Sequence, residues 1–223
     1  MLLFDIGANR GDATLAGLQK GYSVIACEPA PKVFAELVKN FIYSRGVTPL
    51  RVAVSDKDNE RIEFYEADED GLSTINRDWL TSETMPYAGK SFRTIQANTI
   101  TIDTLAKIYG EPDLIKIDVE GAEWSVLRGM TKRYGTVAME WTFETLAEHE
   151  AQMDYMFSLG YRSVAPQYIV HHFEQPTDWY ELQNNNDKQM LMWHQTTSDE
   201  WIESGWQVAG LRPTADVGML WFR

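Results

Sequence analysis

The apolar run of residues 2–6 ends in Gly7-Ala8-Asn9-Arg10-Gly11, and residues 12–20 then carry a helical pattern closed by Gly21. Strand, glycine turn and helix in that order commit the chain to a βα unit whose turn lies at the strand's carboxyl end. The unit repeats. Residues 22–27 form a second apolar run, Glu28-Pro29-Ala30-Pro31 follows, and Val33, Phe34, Leu37, Val38, Phe41 and Ile42 recur at helical spacing. Pro31 suits a first helical turn, where its missing N–H is no loss. A third strand at 50–54 completes a βαβαβ order and predicts an α/β fold built on a doubly wound, mostly parallel sheet.

Residues 56–70 hold eight acidic and two basic side chains. Such a run reads as a solvated hairpin or loop, with a strand starting near Arg61 where Ile62 and Phe64 alternate. Leu105 and Ile108 mark a helix that ends near Gly110, capped by Thr101 or Asp103. Strand four is expected at 113–119, a helix at 121–130, strand five at 136–141 and a helix at 145–159, stopped by Gly160. Beyond Tyr161 the pattern changes to short alternating runs at 168–173, 190–193, 206–208 and 219–222, broken by Asn184-Asn185-Asn186. These predict antiparallel strands added to one edge. Five of the eight Trp lie after residue 178, which suits packing or the stacking of a sugar.

The 223 residues carry a formal net charge of −13, so a phosphate backbone is repelled over most of the surface and nucleic acid is disfavoured as a partner. No polybasic cluster or long apolar segment points to a membrane. One cysteine, Cys27, forms no internal disulfide, so a cytoplasmic setting is the default. The chain enters its first strand almost at once, which leaves open a preceding segment outside this sequence.

The glycine turn lacks the G-x-G-x-x-G of dinucleotide sites, having Asn at 9 and Thr at 14, and no G-x-x-x-x-G-K-[ST] is present. Its backbone N–H groups are expected to face a nucleotide-like ligand at the sheet's carboxyl edge. Glu28 falls at the end of strand two, where an acidic side chain accepts from both hydroxyls of a ribose. Pro29 and Val54 suit an apolar slot for a purine, with Ser55 or Asp56 meeting its amine. Ribose without pyrophosphate suggests a nucleoside.

Strand four holds unusual residues. Strand parity puts Lys116, Asp118 and Glu120 on one side, although a central parallel strand is normally apolar on both faces. A buried lysine requires a partner, most simply Asp118, Asp5 or Glu140. His149 reads as a helix residue, while His171, His172 and His194 are candidates for a base or metal ligand in the C-terminal portion.

Asp5-Ile6-Gly7-Ala8-Asn9-Arg10-Gly11, Cys27-Glu28-Pro29, Ala53-Val54-Ser55-Asp56, Thr101-Ile102-Asp103-Thr104-Leu105 and above all Ile115-Lys116-Ile117-Asp118-Val119-Glu120-Gly121-Ala122-Glu123 together resemble the successive motifs of the FkbM family of S-adenosylmethionine-dependent methyltransferases. The resemblance spans roughly residues 2–141 and implies a class I, Rossmann-like methyltransferase domain over residues 1–223. In it, 1–141 is the cofactor-binding core and 161–223 supplies the C-terminal strands and the acceptor-binding region. It implies that Asp5, Gly7, Asn9 and Gly11, with Ala8 in the same turn, hold the methionine moiety. Glu28 beside Pro29 would hold the ribose, Val54 with Ser55 the adenine, and Asp118 would border the cofactor.

The implied reaction is methyl transfer to a hydroxyl of a small molecule or glycan. Alignment there supplies roughly 7–11 kcal/mol and a base a further 10² to 10⁴ in rate. Asp118 is the first candidate base, Glu120 and Glu140 follow, and Lys116 either joins the chemistry or orients the strand end. A divalent ion held by Asp118 and Glu140 is the other route to an activated hydroxyl. A nicotinamide-dependent oxidoreductase and a cofactor-binding module without catalysis are the competing readings. Oligomeric state is not legible in the sequence.

Overall fold

The first strand, β1 (Leu2–Ile6), is buried from its second residue on, with Leu3, Phe4 and Ile6 almost wholly enclosed. Each such side chain contributes about 1.5–3 kcal/mol by leaving water. The computed structural model describes residues 1–69, 71–85, 87–142, 146–167, 179–181 and 217–223. They fall into two compact units, Met1–Val137 and Ala138–Arg223.

In the first unit the glycine turn leads from β1 into α1 (Asp12–Gln19), then come β2 (Ser23–Cys27), α2 (Pro31–Phe41) and β3 (Val47–Leu50). Pro31 opens α2, as its fixed φ and absent N–H favour. A two-residue strand β4 (Ala53–Val54) and the longer β5 (Arg61–Ala67) follow, then α3 (Arg77–Thr81), β6 (Phe92–Ile100), α4 (Ile102–Tyr109), β7 (Leu114–Ile117) and α5 (Glu123–Arg128). β1 pairs in parallel with β2 and with β7, and β2 with β3, so the order within this unit is β7-β1-β2-β3. The parallel α/β class expected from the βα repeats is what forms. Thr101 caps α4, its hydroxyl accepting from Thr104 N–H at 3.1 Å.

A separate three-stranded sheet of order β4-β6-β5 carries the acidic stretch. The strand near Arg61 forms as expected, but as half of an antiparallel pair with β6. The expected strand at 50–54 divides: Leu50 closes β3 and Ala53 opens β4, which joins β6 rather than the parallel sheet. β7 stops at Ile117, so Asp118 and Glu120 lie in the following loop and strand parity does not govern them.

The second unit contains β8 (Thr136–Thr142, which begins at the boundary), α6 (Leu146–Ser158), β9 (Ser163–Gln167), β10 (Tyr180–Glu181) and β11 (Val217–Phe222). β9 pairs antiparallel with β10 and with β11, in the order β10-β9-β11-β8. Antiparallel C-terminal strands therefore form, with Met219, Leu220, Trp221 and Phe222 buried. The strands expected at 168–173, 190–193 and 206–208 lie outside the described residues. No described helix is long and apolar enough to cross a membrane.

Candidate cofactor and catalytic site

The carboxyl ends of β1 and β7 touch backbone to backbone. Asp118 N–H donates to Ile6 O at 3.1 Å, and a Cβ placed on Gly7, whose φ is +74°, would lie 1.8 Å from the Asp118 carbonyl oxygen. Only glycine fits there.

The turn's own donors are engaged. Gly7 and Ala8 N–H both donate to Cys27 O (3.1 and 2.9 Å), Asn9 N–H donates to Glu28 Oε2 (3.0 Å), and Gly11 N–H donates to Ala8 O (2.8 Å). The sequence expectation that these N–H groups face a ligand is corrected by the register of β1 on β2, which sets Cys27 O beneath the turn. An anion such as pyrophosphate would find these four donors occupied, whereas a cation meets no repulsion from them.

Lys116, buried on β7, lies among the partners its burial requires. Its Nζ donates to Gly7 O at 2.8 Å and sits 3.5 Å from Asp5 Oδ1 and 3.3 Å from Asp118 Oδ2. Asp5, wholly buried, accepts from the Thr14 hydroxyl at 2.6 Å through Oδ2. Thr14 thus ties the first turn of α1 to the strand end, a role the missing third glycine of the dinucleotide pattern leaves room for.

Glu28 is buried at the end of β2, and each carboxylate oxygen accepts one backbone N–H, Oε2 from Asn9 and Oε1 from Ala30 at 2.8 Å. A carboxylate oxygen has capacity for a second donor. Burial pushes its pKa up to about 7, against the lowering effect of those two N–H groups and of Lys116. Asn9 adopts the left-handed region at φ +48°, and its buried Oδ1 has no hydrogen-bond partner. A buried acceptor in that state costs about 1–3 kcal/mol unless something donates to it.

The loop after β7 carries the remaining candidates. Glu120 has φ +57°, unusual for a residue with a side chain and costing on the order of 1–2 kcal/mol. Burial pushes its carboxyl up to about 8, with Asp118 and Glu123 raising it further while Trp79 and Lys116 lower it. Trp79 Nε1–H donates to Glu120 Oε2 at 3.2 Å, and Asn76 Nδ2–H donates to Gly121 O at 2.9 Å. Neither Trp79 nor Asn76 was legible as a site residue, because a short helix inside an acidic, weakly periodic stretch gives no signal linking it to a loop some 40 residues on.

Pro29 is half-buried beside Glu28, and Val54 and Ser55 are buried on and just after β4. Ala53 packs in one cluster with Ala30, Phe64 and Ala97, which brings β4 to the segment following Glu28. Ser55 Oγ donates to Asp56 Oδ1 at 3.2 Å, so the two polar residues proposed for an exocyclic amine face each other. Glu140 is buried on β8 in the second unit. His149 lies on α6, and His171, His172 and His194 lie outside the described residues.

Within the first unit, Asp5 and Asp118 flank the Lys116 ammonium, whose charge also reaches Glu28 and Glu120. This acceptor set suits a ligand with a positive centre and hydroxyl or amino donors, and it suits a polyphosphate poorly. The orphaned Asn9 Oδ1 and the second lone pairs of Glu28 fit the amino and ribose groups of S-adenosylmethionine, whose sulfonium is the positive centre.

A parallel α/β unit whose glycine turn, acidic strand-two end and carboxylate loop converge in this way has the class I, Rossmann-like fold, with a candidate cofactor site at its strand ends. Residues 5–163, well over half of the chain, match the family model described as the methyltransferase FkbM domain. The chain belongs to that family and is an S-adenosylmethionine-dependent methyltransferase. No curated protein matches it. Solved structures similar to it include precorrin-6y C5,15-methyltransferase from Geobacter metallireducens GS-15, 10% identical with a TM-score of 0.44, covering 100% of this chain and 80% of that one. Precorrin 8w decarboxylase from Methanobacterium thermoautotrophicum is 13% identical with a TM-score of 0.45, covering 100% and 81%. A SAM dependent methyltransferase from Archaeoglobus fulgidus is 10% identical with a TM-score of 0.37, covering 100% and 86%. At these scores the likenesses add nothing to the family assignment.

Proposed function

We propose that the chain methylates a hydroxyl oxygen, that of a sugar in a glycan or glycosylated product, with Glu120 as the base that takes the hydroxyl proton. The observation that carries this reading is the Glu120 carboxyl itself. Held in a left-handed turn just past the end of β7 and kept basic by burial, it is matched to proton removal near neutral pH better than an ordinary carboxylate. Asp118, first in rank from sequence, is paired with Lys116 at 3.3 Å and is assigned the neighbouring negative charge instead.

When bound, S-adenosylmethionine supplies a methyl group on a positively charged sulfur. Glu28 holds the ribose hydroxyls with the lone pairs its backbone bonds leave over, and Asn9 Oδ1 accepts from the amino group. Asp5 and Asp118, with Lys116 between them, set the local charge and fix the two strand ends in register. Val54 and Ser55 are assigned the adenine. The sugar preference rests on the Trp- and Tyr-rich sequence of 161–223 and on the net charge of −13, which disfavours nucleic acid. A cytosolic setting fits the single, buried Cys27.

The test is a labelled-methyl assay on a glycan panel, run with and without a chelator. Transfer to a sugar hydroxyl that survives chelation and falls by about 10² to 10⁴ in Glu120→Gln supports the reading. Transfer abolished by chelation assigns activation to a divalent ion. Wild-type turnover in Glu120→Gln removes Glu120 as base, and methylation of nitrogen, carbon or nucleic acid in place of a sugar overturns the acceptor. Cofactor binding with no transfer to any acceptor returns the reading of a binding module.

A further inference from the structure

Trp79 is 1% exposed, in a cluster with Tyr65, Leu72 and Leu80 formed by β5 and the excursion of the chain between β5 and β6. Its ring meets Tyr87 edge to face, with centroids 5.5 Å apart. Packing alone would account for a buried Trp in such a place. Three further contacts go beyond packing. The indole N–H donates to Glu120 Oε2 at 3.2 Å. The indole carbons lie so close to the Gly121 α-carbon that a Cβ there would come within 2.7 Å of the ring. Three residues before Trp79, Asn76 Nδ2–H donates to Gly121 O at 2.9 Å, and the Asn76 Oδ1 caps α3 by accepting from Asp78 N–H.

The excursion therefore grips two consecutive residues of the loop, one by its side chain and one by its backbone. Those two residues, Glu120 and Gly121, both have positive φ, at +57° and +79°. A left-handed glutamate is costly unless its surroundings hold it; Trp79 holds this one's carboxylate and Asn76 the carbonyl of the residue after it.

We propose that Trp79 is a positioning residue for methyl transfer: its N–H fixes the Glu120 carboxylate in one orientation while its ring wedges Gly121 into the turn that presents it. This rests on the reading of Glu120 as the base. Among the described residues of the first unit, the charged groups facing that carboxyl are Asp118, Glu123 and Lys116, and Trp79 is its neutral donor. A neutral N–H bonded to the ionised form favours that form, so its removal weakens the hold and raises the carboxyl's titration midpoint.

The experiment uses the full chain labelled with ¹³C-carboxyl glutamate and ¹⁵N-indole tryptophan, the Glu120 and Trp79 resonances being assigned by their loss in Glu120→Gln and Trp79→Phe. Phe removes the N–H and keeps only a smaller ring at the position, so Glu120→Gln, which leaves the indole against Gly121, is the arm that isolates the hydrogen bond. In Trp79→Phe the Glu120 midpoint should rise by about one pH unit, with the affinity for S-adenosylhomocysteine kept within about two-fold. In Glu120→Gln the Trp79 indole resonance should move more than that of any other Trp. On an acceptor found by the glycan panel, Trp79→Phe should lower kcat about ten-fold at unchanged cofactor KM. An unmoved Glu120 midpoint, or an indole resonance indifferent to Glu120→Gln, overturns the proposal. The second of these stands even where Trp79→Phe fails to fold, the indole resonance then being assigned by its through-space contact with the Tyr87 ring, 5.5 Å away between centroids. Wild-type turnover in Glu120→Gln, with both resonances behaving as expected, instead defeats the assignment of the base and leaves the hydrogen bond in place.

Discussion

Lys116 Nζ donates to the Gly7 carbonyl oxygen at 2.8 Å, joining the end of β7 to the turn after β1. The same ammonium sits between Asp5 and Asp118, so one side chain donates to a backbone acceptor and balances the charge of two carboxylates. Removing it leaves Asp5, wholly buried, without its nearest positive charge. Lys116→Met is expected to cost about 3–5 kcal/mol in urea unfolding, because breaking a buried pair strands the partner's charge. A cost within about 0.5 kcal/mol would mean that the lysine is incidental to the fold.

Gly7 is where the two strand ends meet. Gly7→Ala sets a methyl group against the Asp118 carbonyl and forces an unfavourable φ on a residue with a Cβ. The expected outcome is a loss of more than about 2 kcal/mol together with loss of cofactor binding, read by thermal melts and calorimetry. Gly21, also at positive φ but with open space around it, is the control: Gly21→Ala should cost about 1–2 kcal/mol and leave binding intact.

The sequence carried the parallel sheet because strand, glycine turn and helix recur with clear periods, and it carried the partners of Lys116 because an unpaired buried ammonium is so unfavourable. β6 was invisible for a physical reason. Arg93 and Thr94 are exposed in succession, only Gln96 to Thr99 alternates exposed with buried, and the strand's stability comes from pairing with β5 rather than from an apolar stripe of its own. Likewise the fate of the turn's N–H groups depends on the register of β1 against β2, which no local pattern encodes. Arg51, exposed between Leu50 and Ala53, is where the chain leaves one sheet for the other, and an apolar count across 50–54 passes over it.

Burial raises the carboxyl pKa of Glu28 to about 7 from an ordinary value near 4.5. The folded state therefore holds a proton that the unfolded chain has already lost above pH 4.5. Stability linked to this group is fully present below that pH and declines as pH rises through 7, by about 3 kcal/mol in all. Glu120, raised to about 8, acts in the same direction over a slightly higher range. Urea midpoints should fall between pH 5 and 8, and Glu28→Gln should flatten that fall. A pH dependence unchanged in Glu28→Gln would show that the carboxyl is not desolvated.

Asp118→Asn keeps a side chain of the same shape while taking the charge from beside Lys116. Cofactor affinity is expected to stay within a few-fold, while transfer to the acceptor slows. Near wild-type transfer would show that the negative charge beside Glu120 plays no part in the reaction.

The most direct measurement is calorimetric titration of the full chain with S-adenosylmethionine, S-adenosylhomocysteine and NAD. One site per chain is predicted for the first two, with no heat from NAD, and Glu28→Ala should weaken binding at least about ten-fold through loss of hydrogen bonds to a charged group. Absence of binding by the sulfonium compound, or wild-type affinity in Glu28→Ala, would contradict the assignment of this carboxylate-lined strand edge as the cofactor site.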